Sequence, residues 1–90
     1  MPQTIDVSSA YPNPFNPVVN FNVELGSEKL ISASVFNIKG QKVSDVFEGT
    51  LHQGLTRLSW NASGFSSGIY FINVQSNGEF ISSQKISLLK

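Results

Sequence analysis

From Val18 onward the chain alternates between apolar and polar residues. Val19, Phe21, Val23 and Leu25 are apolar, and Asn20, Asn22 and Glu24 between them are polar. Successive residues of a strand point to opposite faces, so a period of two describes a strand with one face in a core and one in water. The pattern recurs. Lys29 to Ile38 carries Ile31, Ala33 and Val35 on one face and Leu30, Phe36 and Ile38 on the other, interleaved with Ser32 and Ser34. Gln41 to Phe47 gives a shorter strand with Val43 and Val46, and Leu55 to Trp60 places Thr56, Leu58 and Trp60 on one side. Gly68 to Gln75 is the most β-prone stretch, and Phe80 to Leu89 returns as the last strand. Apolar residues never hold helical spacing for three turns, and β-branched residues and glycines are too frequent for a helix.

Turn signals separate these runs. They are Gly26-Ser27, Asn37-Ile38-Lys39-Gly40, a break at Glu48-Gly49-Thr50, an edge or loop at Leu51–Gly54, a loop over Asn61–Gly68, and Ser76-Asn77-Gly78. Asn-Gly suits the type I′ turn of a tight hairpin, and Gly40 can take positive φ. The reading is an all-β, antiparallel sandwich of about seven short strands. Ninety residues with 40% hydrophobic content close one core and leave no room for a second domain. There is no cysteine, so packing alone must hold that core.

Ahead of the first strand runs Tyr11-Pro12-Asn13-Pro14-Phe15-Asn16-Pro17. Each proline fixes its own φ, lacks a donor and biases the residue before it toward extended geometry. A stiff segment carrying Tyr11 and Phe15 costs little entropy to order, so it reads as a lead-in docked on the sandwich.

Composition removes several functions. Net charge is zero with 13% charged residues, so no basic patch exists for nucleic acid. No basic amphipathic helix and no long apolar run suggest direct membrane insertion. Gly64-Phe65-Ser66-Ser67-Gly68 matches G-x-S-x-G, but a loop precedes the serine and a strand follows, the reverse of what a nucleophile elbow needs. His52 is the sole histidine, and the acids Asp6, Glu24, Glu28, Asp45, Glu48 and Glu79 are scattered singly. No catalytic residue, cofactor site or metal-ligand set is therefore assigned, although calcium held by backbone carbonyls stays open. Most phenylalanines lie at alternating strand positions and read as core. Trp60 reads as core or, less simply, as a sugar platform. The second reading would make the chain a surface adhesion or carbohydrate-binding module.

Taken in order, the segments form a pattern. Tyr11–Pro17 is followed by Val35-Phe36-Asn37-Ile38-Lys39-Gly40-Gln41-Lys42-Val43. Then come Gly54, Leu58-Ser59-Trp60-Asn61, Ser67-Gly68-Ile69-Tyr70-Phe71 and Lys85-Ile86-Ser87-Leu88-Leu89-Lys90. This series resembles the type A C-terminal sorting domain of the type IX secretion system of Bacteroidetes and related phyla. The proline run alone is also similar to the Ig-like domain of the flagellar hook-capping protein. The sorting-domain resemblance implies an Ig-like sandwich over residues 11–90, with residues 1–10 a linker from an upstream cargo domain. It implies a non-catalytic signal that carries a secreted or cell-surface cargo from the periplasm across the outer membrane. The implied partners are an outer-membrane translocon, its shuttle protein and a sortase-like cysteine peptidase. That peptidase would remove the domain, or exchange it for a surface anchor, by a cut within or just before Met1–Ala10. Recognition would lie in Lys85, Ile86, Ser87, Leu88, Leu89 and Lys90, read by edge pairing and terminal charge. Structural motif positions would be Tyr11–Pro17, Asn37, Gly40, Gln41, Trp60, Gly68 and Tyr70.

Overall fold

The computed structural model describes residues 5–90. Its seven strands are β1 (Ile5–Val7), β2 (Val18–Leu25), β3 (Lys29–Asn37), β4 (Lys42–Leu51), β5 (Gly54–Asn61), β6 (Gly68–Ser76) and β7 (Glu79–Leu88). They form two antiparallel sheets, β1-β2-β5 and β4-β3-β6-β7. The alternation in the sequence becomes the core directly. Val19, Phe21, Val23 and Leu25 of β2 are buried, as are Ile31, Ala33 and Val35 of β3. Ile72 and Val74 of β6 and Ile86 and Leu88 of β7 complete the layer. Burying each Val, Leu, Ile or Phe side chain among these contributes about 1.5–3 kcal/mol, which is how a chain without disulfides offsets its ordering entropy.

Strand order and one side-chain contact make the sandwich immunoglobulin-like. Tyr70, near the start of β6, donates its hydroxyl hydrogen to the Ser66 carbonyl at 2.7 Å. A tyrosine at that corner, bonded to backbone a few residues upstream, is a hallmark of such sandwiches. The β6–β7 hairpin turns at Asn77-Gly78, both with positive φ (53° and 80°), as the Asn-Gly signal predicts.

Four expectations need correction. Glu48-Gly49-Thr50 is no break: β4 runs through it to Leu51 and pairs with β3 throughout. Gly49 stays in the ladder opposite Ile31 at φ 153°, a conformation open mainly to glycine. Ile5–Val7, in the stretch read as linker, pairs with Val23–Leu25 as strand β1. Ile38 lies beyond the end of β3 and is 72% exposed. Finally, Phe36 and Phe71 face away from the core on the outer side of the four-stranded sheet, and Phe80 is exposed. Period two assigns faces correctly but does not say which face is inside when both carry apolar residues.

Phe21→Ala is accordingly expected to destabilise by about 3–5 kcal/mol, a large share of what a domain this size holds. Phe71→Ala is expected to cost about 1 kcal/mol or less. Urea denaturation at equal m-value checks both, and equal midpoints for the two variants would contradict the assignment of faces.

Candidate functional site

The proline run crosses from one sheet to the other. At its start Tyr11 exchanges backbone hydrogen bonds with Asn20 of β2, both at 2.8 Å. Further along it lies against the outer edge of β7. The Phe15 amide donates to the Ser87 carbonyl at 2.9 Å and the Leu89 amide donates to the Phe15 carbonyl at 3.0 Å, a parallel bridge. Asn13 extends that pairing with its side chain. Its Nδ2 donates to the Lys85 carbonyl (3.2 Å), and its Oδ1 accepts from the Ser87 amide (3.0 Å). The Gln84 side chain continues the seal toward the N-terminus, accepting from the Ala10 amide and donating to the Ser8 carbonyl. The Tyr11–Pro12, Asn13–Pro14 and Asn16–Pro17 bonds are cis.

Only Phe15 of the run is buried, at 2% exposure, while Tyr11, Pro12, Asn13, Pro14 and Asn16 are exposed and Pro17 is half-buried. Tyr11 is thus held by its backbone, and Phe15 alone clamps by its ring. That ring meets Trp60 at 5.9 Å between centroids, and Trp60 meets Phe65 at 5.2 Å and Tyr70 at 5.6 Å. Tilted and edge-on aromatic pairs of this kind add about 0.5–1.5 kcal/mol each beyond their buried area. Trp60 is 4% exposed, and its indole N–H donates to Ser44 Oγ at 3.1 Å. A buried indole has no face to offer a sugar, so Trp60 is core and the platform reading fails.

The Asn37 turn is built by one side chain. Asn37 Oδ1 accepts from the amides of Lys39 (2.9 Å) and Gln41 (3.0 Å), and its Nδ2 donates to Gln41 Oε1. Gly40, at φ 83°, donates its amide to the Asn37 carbonyl. Asparagine, glycine and glutamine at these spacings are what this closed loop demands. Gly68 opens β6 beside it, and Asn37, Ile38, Ser67, Gly68, Ile69 and Tyr70 line a shallow cavity of about 230 Å³.

The tail obeys the strand pattern. Ile86 and Leu88 are buried, Lys85, Leu89 and Lys90 are exposed, and Ser87 is half-buried. Lys90 is tied to the β5–β6 loop: its amide donates to Ser67 Oγ (3.0 Å) and its ammonium to the Ser63 carbonyl (2.8 Å). Edge pairing is largely closed off along this stretch, because Asn13 and Phe15 already take the Lys85 carbonyl, both outward groups of Ser87 and the Leu89 amide. Ser63 and Gln84 also take part in these contacts and carried no signal in the sequence, where a serine and a lone glutamine look like solvated loop and strand; Ser66 and Ser67 stood out there only as parts of G-x-S-x-G and of the Gly68 segment.

All these segments meet at one pole. Asn37 pairs with Tyr70, Gly68 with Leu88 and Val18 with Asn61, which puts the run, the Asn37 turn, the β5–β6 loop and the tail side by side. His52 lies at the opposite pole, beside Leu51, which pairs with Lys29. It is exposed there, 3.8 Å from Glu28. Ser66 and His52 are thus separated by the length of the sheet. Among the described residues no three His, Asp or Glu side chains converge. The Lys42 ammonium hydrogen-bonded to Asp45 holds that carboxyl below its usual range.

A family model described as "Secretion system C-terminal sorting domain" matches residues 9–88. The chain belongs to that family. The sorting domain therefore serves type IX secretion, with a cargo protein bound for the medium or the cell surface. No curated protein matches it. Among solved structures, alkylpurine DNA glycosylase AlkC of Pseudomonas fluorescens, bound to DNA containing an abasic site analog, aligns at TM-score 0.53 and 15% identity. The alignment covers 96% of the sorting domain but 30% of the glycosylase chain, and at that identity it speaks for the fold alone.

Asn13→Ala leaves the Ser87 amide and the Lys85 carbonyl without their partner, and is expected to cost about 1 kcal/mol. Hydrogen exchange reads this locally: the Ser87 amide is expected to lose protection while Ile72 keeps it. Unchanged exchange at Ser87 would mean the Asn13 side chain does not seal the edge.

Proposed function

We propose that the sorting domain is a passive export label whose readable face is the pole built from the proline run, the Asn37 turn and the tail. The observation that carries this reading is the convergence of those segments on one end, while β1 enters from the other. Ile5 pairs with Leu25, at the far end of β2 from Val18, and the molecule is 43 Å along its long axis. A cargo upstream of β1 then hangs from one pole while the translocon and its shuttle protein engage the opposite one.

With the backbone edge of the tail sealed, recognition falls to side chains. Ile38 (72% exposed), Leu89 (58%) and half-buried Ile69 are apolar groups at the pole beside Lys90. Exposed apolar side chains with a polar rim are what a protein partner buries. Removal by a sortase-like cysteine peptidase is part of the same reading. β1 and Ser8–Ala10 are bonded into the fold through Val23, Asn22 and Gln84, so a cut that leaves the domain intact falls upstream of Ile5.

The test is export of a fluorescent protein fused to residues 1–90, in hosts with and without a working type IX translocon. The passenger is expected outside the cell only when the translocon works. Deleting Lys85–Lys90 is expected to abolish export, but it also strips Ile86 and Leu88 from the core. The cleaner variant is Ile38→Asp with Leu89→Asp, expected to lower export at least about tenfold without lowering the melting temperature. Full export of that double variant, its fold intact, would show that this pole is not read.

A further inference from the structure

The outer face of the four-stranded sheet is built differently from an ordinary solvated face. Register places its side chains in cross-strand rows. Lys42, Phe36, Phe71 and Lys85 form one row, Asp45, Ser34, Asn73 and Ser83 the next, and Glu48, Ser32, Gln75 and Phe80 a third. Short side chains in the middle of the sheet, between taller phenylalanines and lysines, leave a cavity of about 210 Å³. Its lining is Ser32, Ser34, Phe36, Lys42, Asn73 and Gln75.

Asn73 stands at its centre without an internal reason to be there. Asparagine is depleted in strands, and β6 is an inner strand of its sheet. Its Oδ1 is shielded from solvent and is the one buried side-chain polar atom among the described residues that lacks a hydrogen-bond partner. Buried polar atoms are nearly always satisfied, and an uncompensated breach of local preference marks a functional position more often than a defect. Asn73 lines the cavity, and a half-turn of its amide exchanges the positions of that oxygen and Nδ2.

The chemistry of the guest follows from the walls. Two lysines and two carboxylates on this face balance, and one of each, Lys42 and Asp45, are paired at 3.0 Å. A charged guest therefore gains little. The Ser32 hydroxyl and the amides of Asn73 and Gln75 both donate and accept, as sugar hydroxyls do, while Ser34 Oγ, which donates to Asp45 Oδ1 at 3.2 Å, is left to accept; half-buried phenylalanines give an apolar surface for sugar C–H groups. We propose that this face binds a single neutral sugar ring, with Asn73 and Gln75 holding its hydroxyls and Phe36 its C–H face.

The ¹⁵N-labelled domain titrated with methyl β-glucopyranoside, methyl α-mannopyranoside and methyl β-galactopyranoside tests this, with methyl β-glucuronide as the charged control. At least one neutral glycoside is expected to give saturable amide shifts at Ser32, Ser34, Asn73 and Gln75, with Kd on the order of 1 mM. Asn73→Val, a better strand former, is expected to weaken that binding at least about tenfold with the melting temperature kept or raised. Gln75→Ala, at an exposed position, is expected to weaken it in the same direction and serves if the first variant misfolds. Absence of saturable shifts with all three neutral sugars overturns the proposal. So do shifts confined to another face, wild-type affinity in both variants, or tighter binding of the glucuronide. None of these outcomes bears on export, which is read at the pole.

Discussion

The last strand has an edge to hide, and the proline run hides it. β7 ends the four-stranded sheet, and an uncovered edge of alternating Ile86 and Leu88 would offer its backbone to any other strand. A paired eighth strand is one solution. This chain instead lays Asn13 and Phe15 along the edge, using a side-chain amide in place of a peptide for part of the pairing. Prolines suit the task, because Pro12 and Pro14 have no amide to leave unpaired on the outward side. The rest of the pole follows from this contact: fixing Phe15 at Ser87 puts its ring on Trp60, and through Trp60 on Phe65 and Tyr70.

The opposite edge of that sheet is defended by other means. β4 carries Lys42, Asp45 and Glu48, and its pairing with β3 shifts register between Ala33 and Ser34 and again between Val35 and Phe36. Charges and bulges discourage strand addition without any covering segment. The tail has no such option where Ile86 and Leu88 must fill the core, so its edge is covered from outside. Two edges of one sheet are closed by two different devices, each suited to what its strand must also do.

Fold was largely legible in the sequence because burial in a sandwich is written in period two. Val18–Leu25 was readable residue by residue, and the Asn77-Gly78 turn was readable from its φ requirement. The misreadings share a cause. Gly49 looked like a break because glycine signals a conformation, and a strand can absorb that conformation as well as a turn can. Phe71 looked like core because composition does not mark which of two apolar faces is inner. Three residues of β1 are too few for a periodic signal. At the pole, Asn37, Gly40 and Gln41 were legible because their loop needs those residue types. The Asn13–Ser87 and Lys90–Ser63 contacts join positions far apart in the chain, and nothing local in the sequence announces them.

This long-range closure gives the label a property a linear tag lacks. Its pole joins residues 11–16 to residues 85–90, far apart in the chain and meeting along the outer edge of β7, with the Asn37 turn and the β5–β6 loop beside them. Before the final strand has docked on β6, no seal exists, and Lys90 has no Ser63 or Ser67 to hold it in place. After docking, the Lys85 carbonyl, both outward groups of Ser87 and the amides of Leu89 and Lys90 are satisfied internally, and the tail's alternate side chains face outward. A receptor that reads that surface is therefore reading a completed fold and not a sequence of six residues. Since the ordering of a ninety-residue domain rests on a margin of about 5–15 kcal/mol, loss of a buried anchor such as Leu88 or Phe15 removes the surface together with the fold. For a partner that reads this pole, as proposed above, stability and recognition become one requirement, because the contact that closes the sandwich also fixes the end it displays.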